Sequence, residues 1–174
     1  MTTFINFNGD NGAGKSTACL YLHSMLIKAG YSAKVIHLAD TVKKICALLV
    51  NESAAKYYTE EKEALIESIG ITRRQLMLDV TKFGMSIHKD IFFERAIKYA
   101  NNFDFILIGD ARYKEWEAYL TSKQLFYYNV YVSRDCTYSD KADFIIFNEN
   151  DNADYLFEQY KQLLHSLTNT YLVK

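Results

Sequence analysis

A cluster of glycines near the N-terminus places the strongest constraint on the fold of this chain. Three of its seven glycines, Gly9, Gly12 and Gly14, lie within six positions of one another. Residues 3–8 before the cluster form a short apolar segment of strand length, and after it apolar residues recur at helical spacing until Gly30. The sequence therefore predicts a strand, a tight glycine loop and a helix in direct succession.

The glycine cluster also satisfies the pattern G-x-x-x-x-G-K-[ST] of phosphate-binding loops. Small residues let consecutive backbone N–H groups turn inward around a phosphate, and the positive end of the following helix favours the same anion. In this pattern Lys15 reaches the β- and γ-phosphates of a nucleoside triphosphate, and Ser16 coordinates Mg²⁺. We therefore predict an ATP site formed by the loop and the start of the helix, with the residues Gly9, Asn11, Gly12, Ala13, Gly14, Lys15, Ser16 and Thr17.

Short apolar segments separated by helical stretches continue to the end of the chain. Residues 103–110 form a continuous apolar run that ends in Gly and Asp, which is typical of an interior parallel strand covered on both faces. The alternation predicts an α/β fold, a three-layer sandwich with a five-stranded parallel sheet and right-handed crossovers. The predicted strands are residues 3–8, 33–38, 103–110, 126–133 and 143–148.

The spacing between the second and third strands is unusually long and predicts a helical insertion over about residues 40–102. Thr59 is a candidate cap for a charged helix, and Thr72 with Gln75 forms a capping box that opens the next one. We expect helices over residues 40–50, 59–70, 72 to about 83 and 88–100. A final helix should pack through one apolar face, formed by Leu156, Tyr160, Leu163, Leu164 and Leu167.

Composition excludes several classes of function. The length of 174 residues suits one domain, so we expect a single P-loop domain over residues 1–174. A formal net charge of −1 gives no global positive field for a nucleic-acid polymer. No apolar run approaches the ~20 residues that span a bilayer, and neither a signal segment nor metal-ligand spacing of the three cysteines is present. We expect a reduced, cytoplasmic protein that binds no membrane.

Asp110 is the acidic residue best placed to act beside the loop. It ends the predicted interior strand, and neighbouring parallel strands bring their carboxyl ends to the same edge of a sheet. There its carboxylate could orient Mg²⁺ ligands or the phosphate acceptor, or it could cap the following helix. Arg112 follows two residues later at the same edge, where its guanidinium could bind phosphate or extend into solvent.

Arginine is scarce, with five residues in the chain, and its fork geometry suits phosphate. Arg73 and Arg74 open a predicted helix, where positive charge opposes the helix dipole, so we expect at least one of them to bind a substrate phosphate. Arg134 ends a strand and is interpreted as a contact from a short lid over about residues 134–142, or as a surface residue paired with a neighbouring acid. The side chain of Lys43, near the start of another helix, could bind the acceptor or extend into solvent.

Beyond the loop, the order of motifs resembles the bacteriophage-type deoxynucleoside monophosphate kinases. Their "FADPLK"-like segment after the second strand is similar to HLADTVKKIC, residues 37–46. Their "D-x-R-F" motif is similar to DARY, residues 110–113. Three further motifs of the family have counterparts here. These are RRQLMLDVTKF (residues 73–83) followed by HKD (residues 88–90), the strand-end arginine Arg134, and DFIIFN (residues 143–148).

The resemblance implies a nucleoside-monophosphate-kinase fold and transfer of the γ-phosphoryl group of ATP, with Mg²⁺, to a deoxynucleoside monophosphate. It implies catalytic roles for Lys15, Asp110, Arg112 and Arg134, and Mg²⁺ binding by Ser16 and Asp110. The residues that it places around the acceptor are Leu38, Ala39, Lys43, Arg73, Arg74, Asp110, Arg112 and Tyr113. A homodimer and a cytoplasmic location, the host's for a phage protein, are further implications.

A departure from the family in the glycine loop keeps other interpretations open. Asp10 and Asn11 stand in a part of the loop where the family commonly has a basic residue. The loop is instead similar to that of thymidylate kinases, although their Arg-Glu-Pro-Gly segment cannot occur in a chain without proline. Alternatives are therefore a thymidylate kinase-like enzyme, another small-molecule P-loop kinase such as one acting on dephospho-coenzyme A, and a nucleotide-binding switch or ATPase. The nucleobase is not identified by these residues.

Overall fold

The chain divides into two compact units in its computed structural model, which describes residues 2–98, 102–111, 114–134, 139–148 and 153–172. Unit 1 consists of Met1–His37 and Lys98–Lys174, and unit 2 is Leu38–Ile97. Unit 2 largely coincides with the stretch, about residues 40–102, for which the sequence predicts a helical insertion. That this insertion binds an acceptor stays a prediction.

The elements alternate along the chain much as the sequence predicts. Two short 3-10 helices, Ala54–Tyr57 and Glu60–Glu63, lie between the second helix and the third strand. In chain order the remaining elements of the described residues are β1 (Thr3–Gly9), α1 (Lys15–Lys28), β2 (Ala33–Ile36), α2 (Asp40–Leu49), β3 (Leu65–Ile66), β4 (Ile71–Thr72), α3 (Arg73–Ile87), α4 (Ile91–Ile97), β5 (Phe105–Ile108), α5 (Lys114–Ser122), β6 (Phe126–Ser133), β7 (Phe144–Phe147) and α6 (Ala153–Leu172).

Five strands of unit 1 form one parallel sheet, in the order β2-β5-β1-β6-β7 across the described residues. The predicted five-stranded parallel sheet is therefore confirmed. All four residues of β5 are fully buried, as the continuous apolar run predicts for a strand with neighbours on both sides.

The connections that leave β1 and β5 define the edge of the sheet where a ligand is expected. These two strands are neighbours, but the chain leaves β1 toward β2 and leaves β5 toward β6, on opposite sides. Open parallel sheets bind ligands beyond the carboxyl ends of strands at such a reversal. Here the reversal brings together the loop that follows β1 and the residues that follow β5.

Helices cover both faces of this sheet, which gives the predicted three layers. Ile5 and Phe7 share one core with the apolar faces of α1 and α6. The alternate positions of the same strand face α5, where Phe4 packs edge-on against Trp116 and Asn6 accepts a hydrogen bond of 2.8 Å from its indole N–H. The apolar face predicted for the last helix is confirmed, because all five of its residues belong to or pack against the first core.

Unit 2 has a small core of its own. Val42, Cys46 and Ala47 of α2 pack with Tyr57, and side chains of α3 and α4 complete the cluster. The capping box is half formed: the Thr72 hydroxyl accepts from the Gln75 N–H at 3.1 Å, but the Gln75 amide donates to Asp79 instead of reaching back. The helix it opens nevertheless runs to Ile87, four residues beyond the predicted end.

The prediction of a helix over residues 59–70 is wrong. Thr59 does cap a helix, but this is the single 3-10 turn at residues 60–63, and a hairpin of β3 and β4 follows. Gly70, with a φ of +71°, closes the turn of that hairpin. The guanidinium of Arg73 donates to the carbonyl oxygens of Glu61 and Ala64, at 3.2 and 3.5 Å. In a continuing helix these carbonyls would instead accept from backbone N–H groups four residues further along. Similarly, the helix predicted over residues 88–100 begins only at Ile91.

Candidate active site

The loop between β1 and α1 depends on the backbone freedom of its glycines. Gly9, Gly12 and Gly14 all have positive φ, at +135°, +78° and +94°. A Cβ on Gly9 would lie 2.1 Å from the carbonyl oxygen of Val132 in the neighbouring strand, so no side chain fits there. Gly14 is in the left-handed conformation as the N-cap of α1. The glycines predicted to shape a phosphate loop therefore occupy positions that only glycine adopts without strain.

The amino end of α1 is suited to an anion. Its cap residue has no side chain to satisfy the first helical N–H groups, and its first turn carries no acidic residue. Ser16 and Thr17 are exposed in that turn, while Ala13 is buried in the core beneath the loop. Backbone N–H groups and the helix dipole thus favour a negatively charged group at this end of the helix.

Lys15 folds back over the loop rather than extending into solvent. Its ammonium donates to the carbonyl oxygen of Gly9 at 2.7 Å and to that of Asp10. The residue is buried although it carries a charge. The positive charge therefore lies within the loop itself, where the sequence predicts the phosphates.

Asn148 braces the loop from the end of β7, a contact that sequence reasoning missed. Its side-chain amide donates to the carbonyl oxygen of Ala13 at 3.0 Å, and its backbone N–H donates to Ser133 at 2.7 Å. A Cβ on Gly14 would lie only 2.5 Å from the Asn148 amide nitrogen. The sequence signals for Asn148 were its place at the end of the predicted strand 143–148 and the similarity of DFIIFN to a family motif.

Asp110 lies at the same edge of the sheet as the loop. It follows β5 by two residues and is half-buried. Burial and the negative charge of Asp110 raise the pKa of the Cys19 thiol to about 12. The parallel pairing of β1 with β5, in which Asn6 is in register with Ile108, puts the carboxyl ends of both strands at one edge of the sheet. The catalytic and metal-binding roles of Asp110 stay predictions.

His37 directly follows β2, the strand that pairs with β5 on its other side from β1. The imidazole lies against Gly109, where an added Cβ would be 2.5 Å from its Cε1 atom. Strand pairing explains the approach, because Ile36 of β2 is in register with Ile108 of β5. Sequence reasoning assigned no role to this histidine, and a lone histidine at the end of a strand carries no signal that would have shown one.

The predicted acceptor residues of unit 2 differ in how they are held. Leu38 is buried, and Ala39 is the N-cap of α2. Arg73 makes a bidentate pair with Glu52 at 2.7 and 2.6 Å, and its side chain is 7% exposed. Arg74 pairs with Glu63 at 2.6 Å and is 62% exposed. The two adjacent arginines are thus in opposite environments, and a role of either in binding substrate stays a prediction.

Two of the predicted residues, Arg112 and Tyr113, lie outside the described residues. Arg134 is exposed directly after β6, and the lid predicted to follow it falls partly on residues 135–138, which also lie outside the description. The roles proposed for these residues stay predictions.

Magnesium is the metal that the predicted residues fit. The Ser16 hydroxyl and the Asp110 carboxylate are hard oxygen donors, and Mg²⁺ characteristically takes one or two such protein ligands together with water and phosphate oxygens. Within the described part of the chain no group of three or more His, Cys, Asp or Glu side chains forms a metal cluster.

Among the described residues no helix has the length and apolar character needed to cross a membrane.

Solved structures of P-loop kinases share this fold. A mutant of the APS kinase CysC from Mycobacterium tuberculosis matches with a TM-score of 0.55 and 14% identity, covering 97% of each chain. The same enzyme in complex with AMPPNP and APS matches with a TM-score of 0.52 and 13% identity, covering 97% of this chain and 98% of that one. The protein APE1195 matches with a TM-score of 0.53 and 13% identity, covering 97% and 96%. No family model and no curated protein matches the sequence. The chain therefore has a P-loop kinase-like α/β fold similar to that of the APS kinases.

Proposed function

We propose that this protein is a P-loop kinase that transfers the γ-phosphoryl group of ATP, with Mg²⁺, to a deoxynucleoside monophosphate. The observation that carries the proposal is the loop between β1 and α1, with three glycines at positive φ and the buried Lys15 ammonium inside it. The fold likeness to APS kinases supports a kinase, and the resemblance to phage enzymes supports the acceptor. A cytoplasmic location and a homodimer belong to the same proposal.

On the donor side, the loop holds the triphosphate through backbone N–H groups. Lys15 exchanges the carbonyl oxygens of Gly9 and Asp10 for the β- and γ-phosphates when ATP binds. Ser16 and Asp110 would hold Mg²⁺, which would supply positive charge against the phosphates. Arg134 adds positive charge from the start of the lid.

On the acceptor side, we assign phosphate binding to Lys43, Arg74 and Arg112. Arg74 is preferred to Arg73 because the Arg73 guanidinium already donates to both Glu52 oxygens and to two backbone carbonyls. Binding substrate would break that bidentate pair, whereas Arg74 is largely exposed and has one exposed partner.

The reaction needs charge neutralisation and positioning rather than a strong base. An oxygen of the acceptor phosphate is already ionised near neutral pH, so it bonds to the γ-phosphorus without losing a proton. The bond from the γ-phosphorus to the bridging oxygen breaks, and ADP leaves with that electron pair. The buried Lys15 ammonium inside the loop supports this chemistry, because it would neutralise phosphate charge.

A second acceptor is favoured by the fold comparison. The structures with TM-scores above 0.5 include an APS kinase in complex with AMPPNP and APS, and the match extends over nearly all of both chains. APS is therefore the first compound to test beside the deoxynucleoside monophosphates. A switch or ATPase remains the alternative from a different class.

An acceptor panel tests the proposal. The protein is incubated with ATP and Mg²⁺ and, one at a time, with the four deoxynucleoside monophosphates, APS, dephospho-coenzyme A or no acceptor, and products are separated by chromatography and identified by mass. We expect a diphosphate product from at least one deoxynucleoside monophosphate. Product from APS alone would favour the second candidate. Bound ATP without product from any acceptor would overturn the kinase assignment.

A further inference from the structure

A compact cluster of three side chains, Asp40, Lys43 and Tyr58, lies at the start of α2 in unit 2. The Tyr58 hydroxyl donates to an Asp40 carboxylate oxygen at 2.7 Å. The Lys43 ammonium lies 3.8 Å from the centre of the Tyr58 ring and 4.0 Å from the same carboxylate oxygen. Each member therefore contacts both of the others, and the lysine is held by a ring on one side and a carboxylate on another. We call this the Tyr58 cluster.

Lys43 is restrained in a way that its neighbour is not. Its side chain is 16% exposed, whereas Lys44, one position along the same helix, is exposed. A lysine side chain in solvent samples many rotamers, and ordering it on binding a ligand costs conformational entropy. A cation near the amino end of a helix also opposes the helix dipole, and the Asp40 carboxylate compensates for this. The cluster thus holds the ammonium in place before any ligand arrives.

Tyr58 contributes little to the core of unit 2. Tyr57, the preceding residue, is 1% exposed and packs with Val42 and Cys46, whereas Tyr58 is 48% exposed. A half-exposed aromatic ring whose hydroxyl and face are both used by polar neighbours is better explained by those neighbours than by apolar packing.

We infer that Tyr58 is a positioning residue that, together with Asp40, orients the Lys43 ammonium toward the phosphate of the acceptor. The inference rests on the proposed function, and it adds a residue to which the sequence pattern assigned no role. Tyr58 acts through Lys43: its hydroxyl fixes the carboxylate, and its ring supports the cation through a cation–π contact. The effect should fall on acceptor binding and not on ATP binding.

A double-mutant cycle tests the inference. Tyr58→Phe removes the hydroxyl, Tyr58→Leu removes hydroxyl and ring, and Tyr58→Leu is also made in a Lys43→Met background. The probe is the deoxynucleoside monophosphate that the wild-type protein phosphorylates best. KM for this acceptor and KM for ATP are measured separately, and circular dichroism reports the fold of each variant. Tyr127→Phe is the matched control, because it removes a hydroxyl that contacts only Thr121 among the contacts described, at 3.2 Å.

We expect Tyr58→Leu to raise the acceptor KM about 5- to 20-fold, with Tyr58→Phe between it and the wild type and Tyr127→Phe unchanged. In the Lys43→Met background the same substitution should have no further effect, because the group that it positions is gone. The ATP KM should stay within about twofold in every variant.

An equal loss from Tyr58→Leu in both backgrounds would overturn the inference, since it would indicate a structural role independent of Lys43. An unchanged acceptor KM in a folded Tyr58→Leu protein would also overturn it. These results leave the kinase assignment standing. Absence of wild-type turnover with every acceptor would instead overturn the proposed function, and the inference with it.

Discussion

Two glycines at opposite ends of α1 separate the effect of backbone conformation from the effect of local crowding. Gly14 and Gly30 have nearly the same φ, +94° and +88°. A Cβ on Gly30 would meet nothing within 4 Å, whereas one on Gly14 would lie 2.5 Å from the Asn148 amide nitrogen. The same substitution therefore strains the backbone at both sites but disturbs the loop at only one.

We predict that Gly14→Ala weakens ADP binding at least about tenfold, or about 1.4 kcal/mol. The added methyl displaces Asn148 and breaks its bond to Ala13, in addition to straining the backbone. Gly30→Ala should lower the free energy of unfolding by about 1–2 kcal/mol and leave ADP binding unchanged. Calorimetric titration with ADP and urea unfolding measure the two effects. Wild-type affinity in Gly14→Ala would contradict the role given to this contact.

A largely buried ion pair of Arg73 and Glu52 ties the segment between α2 and α3 to the start of α3. Arg73, at the start of α3, joins Glu52, which lies shortly after α2, to the carbonyls of Glu61 and Ala64. The neighbouring pair joins Arg74 of α3 to Glu63, the last residue of the second 3-10 helix, and is exposed. These pairs have the same chemistry and differ in burial, so they are natural controls for each other.

We predict that Glu52→Gln clearly lowers the urea midpoint of unfolding, because it leaves a buried guanidinium without its countercharge. Glu63→Gln should shift the free energy of unfolding by less than about 0.5 kcal/mol, as is usual for exposed pairs. Tryptophan fluorescence and circular dichroism follow the transitions. Equal effects of the two substitutions would show that burial of the Arg73 pair has no consequence for stability.

The Glu52 pair also predicts a pH dependence. Hydrogen bonds from Arg73 hold the pKa of the Glu52 carboxyl below its ordinary value of 4.5. A lowered pKa in the folded protein means that the stabilisation is fully present above the unfolded pKa and is lost as the pH falls through the folded one. The difference in midpoint between wild type and Glu52→Gln should therefore be constant from about pH 7 to pH 5 and narrow below about 4.5. A difference that widened toward acid pH would contradict this assignment.

Across the whole molecule, the sequence predicts best what depends on local pattern. The strand over residues 126–133 has the predicted bounds, and the glycine loop has the backbone that its composition requires. Asp110 follows β5, which pairs in parallel with β1, as the apolar run with its terminal Asp indicated. Each of these features depends on periodicity, on the special freedom of glycine, or on a general rule of sheet topology.

What could not be predicted depends on partners distant in sequence. Asn148 reaches Ala13 across 135 positions, and His37 meets Gly109 only because their strands pair. The Arg73 guanidinium donates to the carbonyl oxygens of Glu61 and Ala64, in a segment that its charges and the Thr59 cap indicated as helix and that instead ends in a hairpin. A single sequence gives no signal for such contacts, because each side chain is ordinary in its own local setting.

The fate of the γ-phosphoryl group is the most direct test of the central claim. ATP labelled at the γ-phosphate is incubated with Mg²⁺ and each deoxynucleoside monophosphate, using wild-type protein and Lys15→Ala, and the labelled products are separated. We predict label in a deoxynucleoside diphosphate with the wild type and none with Lys15→Ala, because the ammonium in the loop would be missing. Label found only in inorganic phosphate, at a rate that no acceptor changes, would contradict the account and indicate an ATPase.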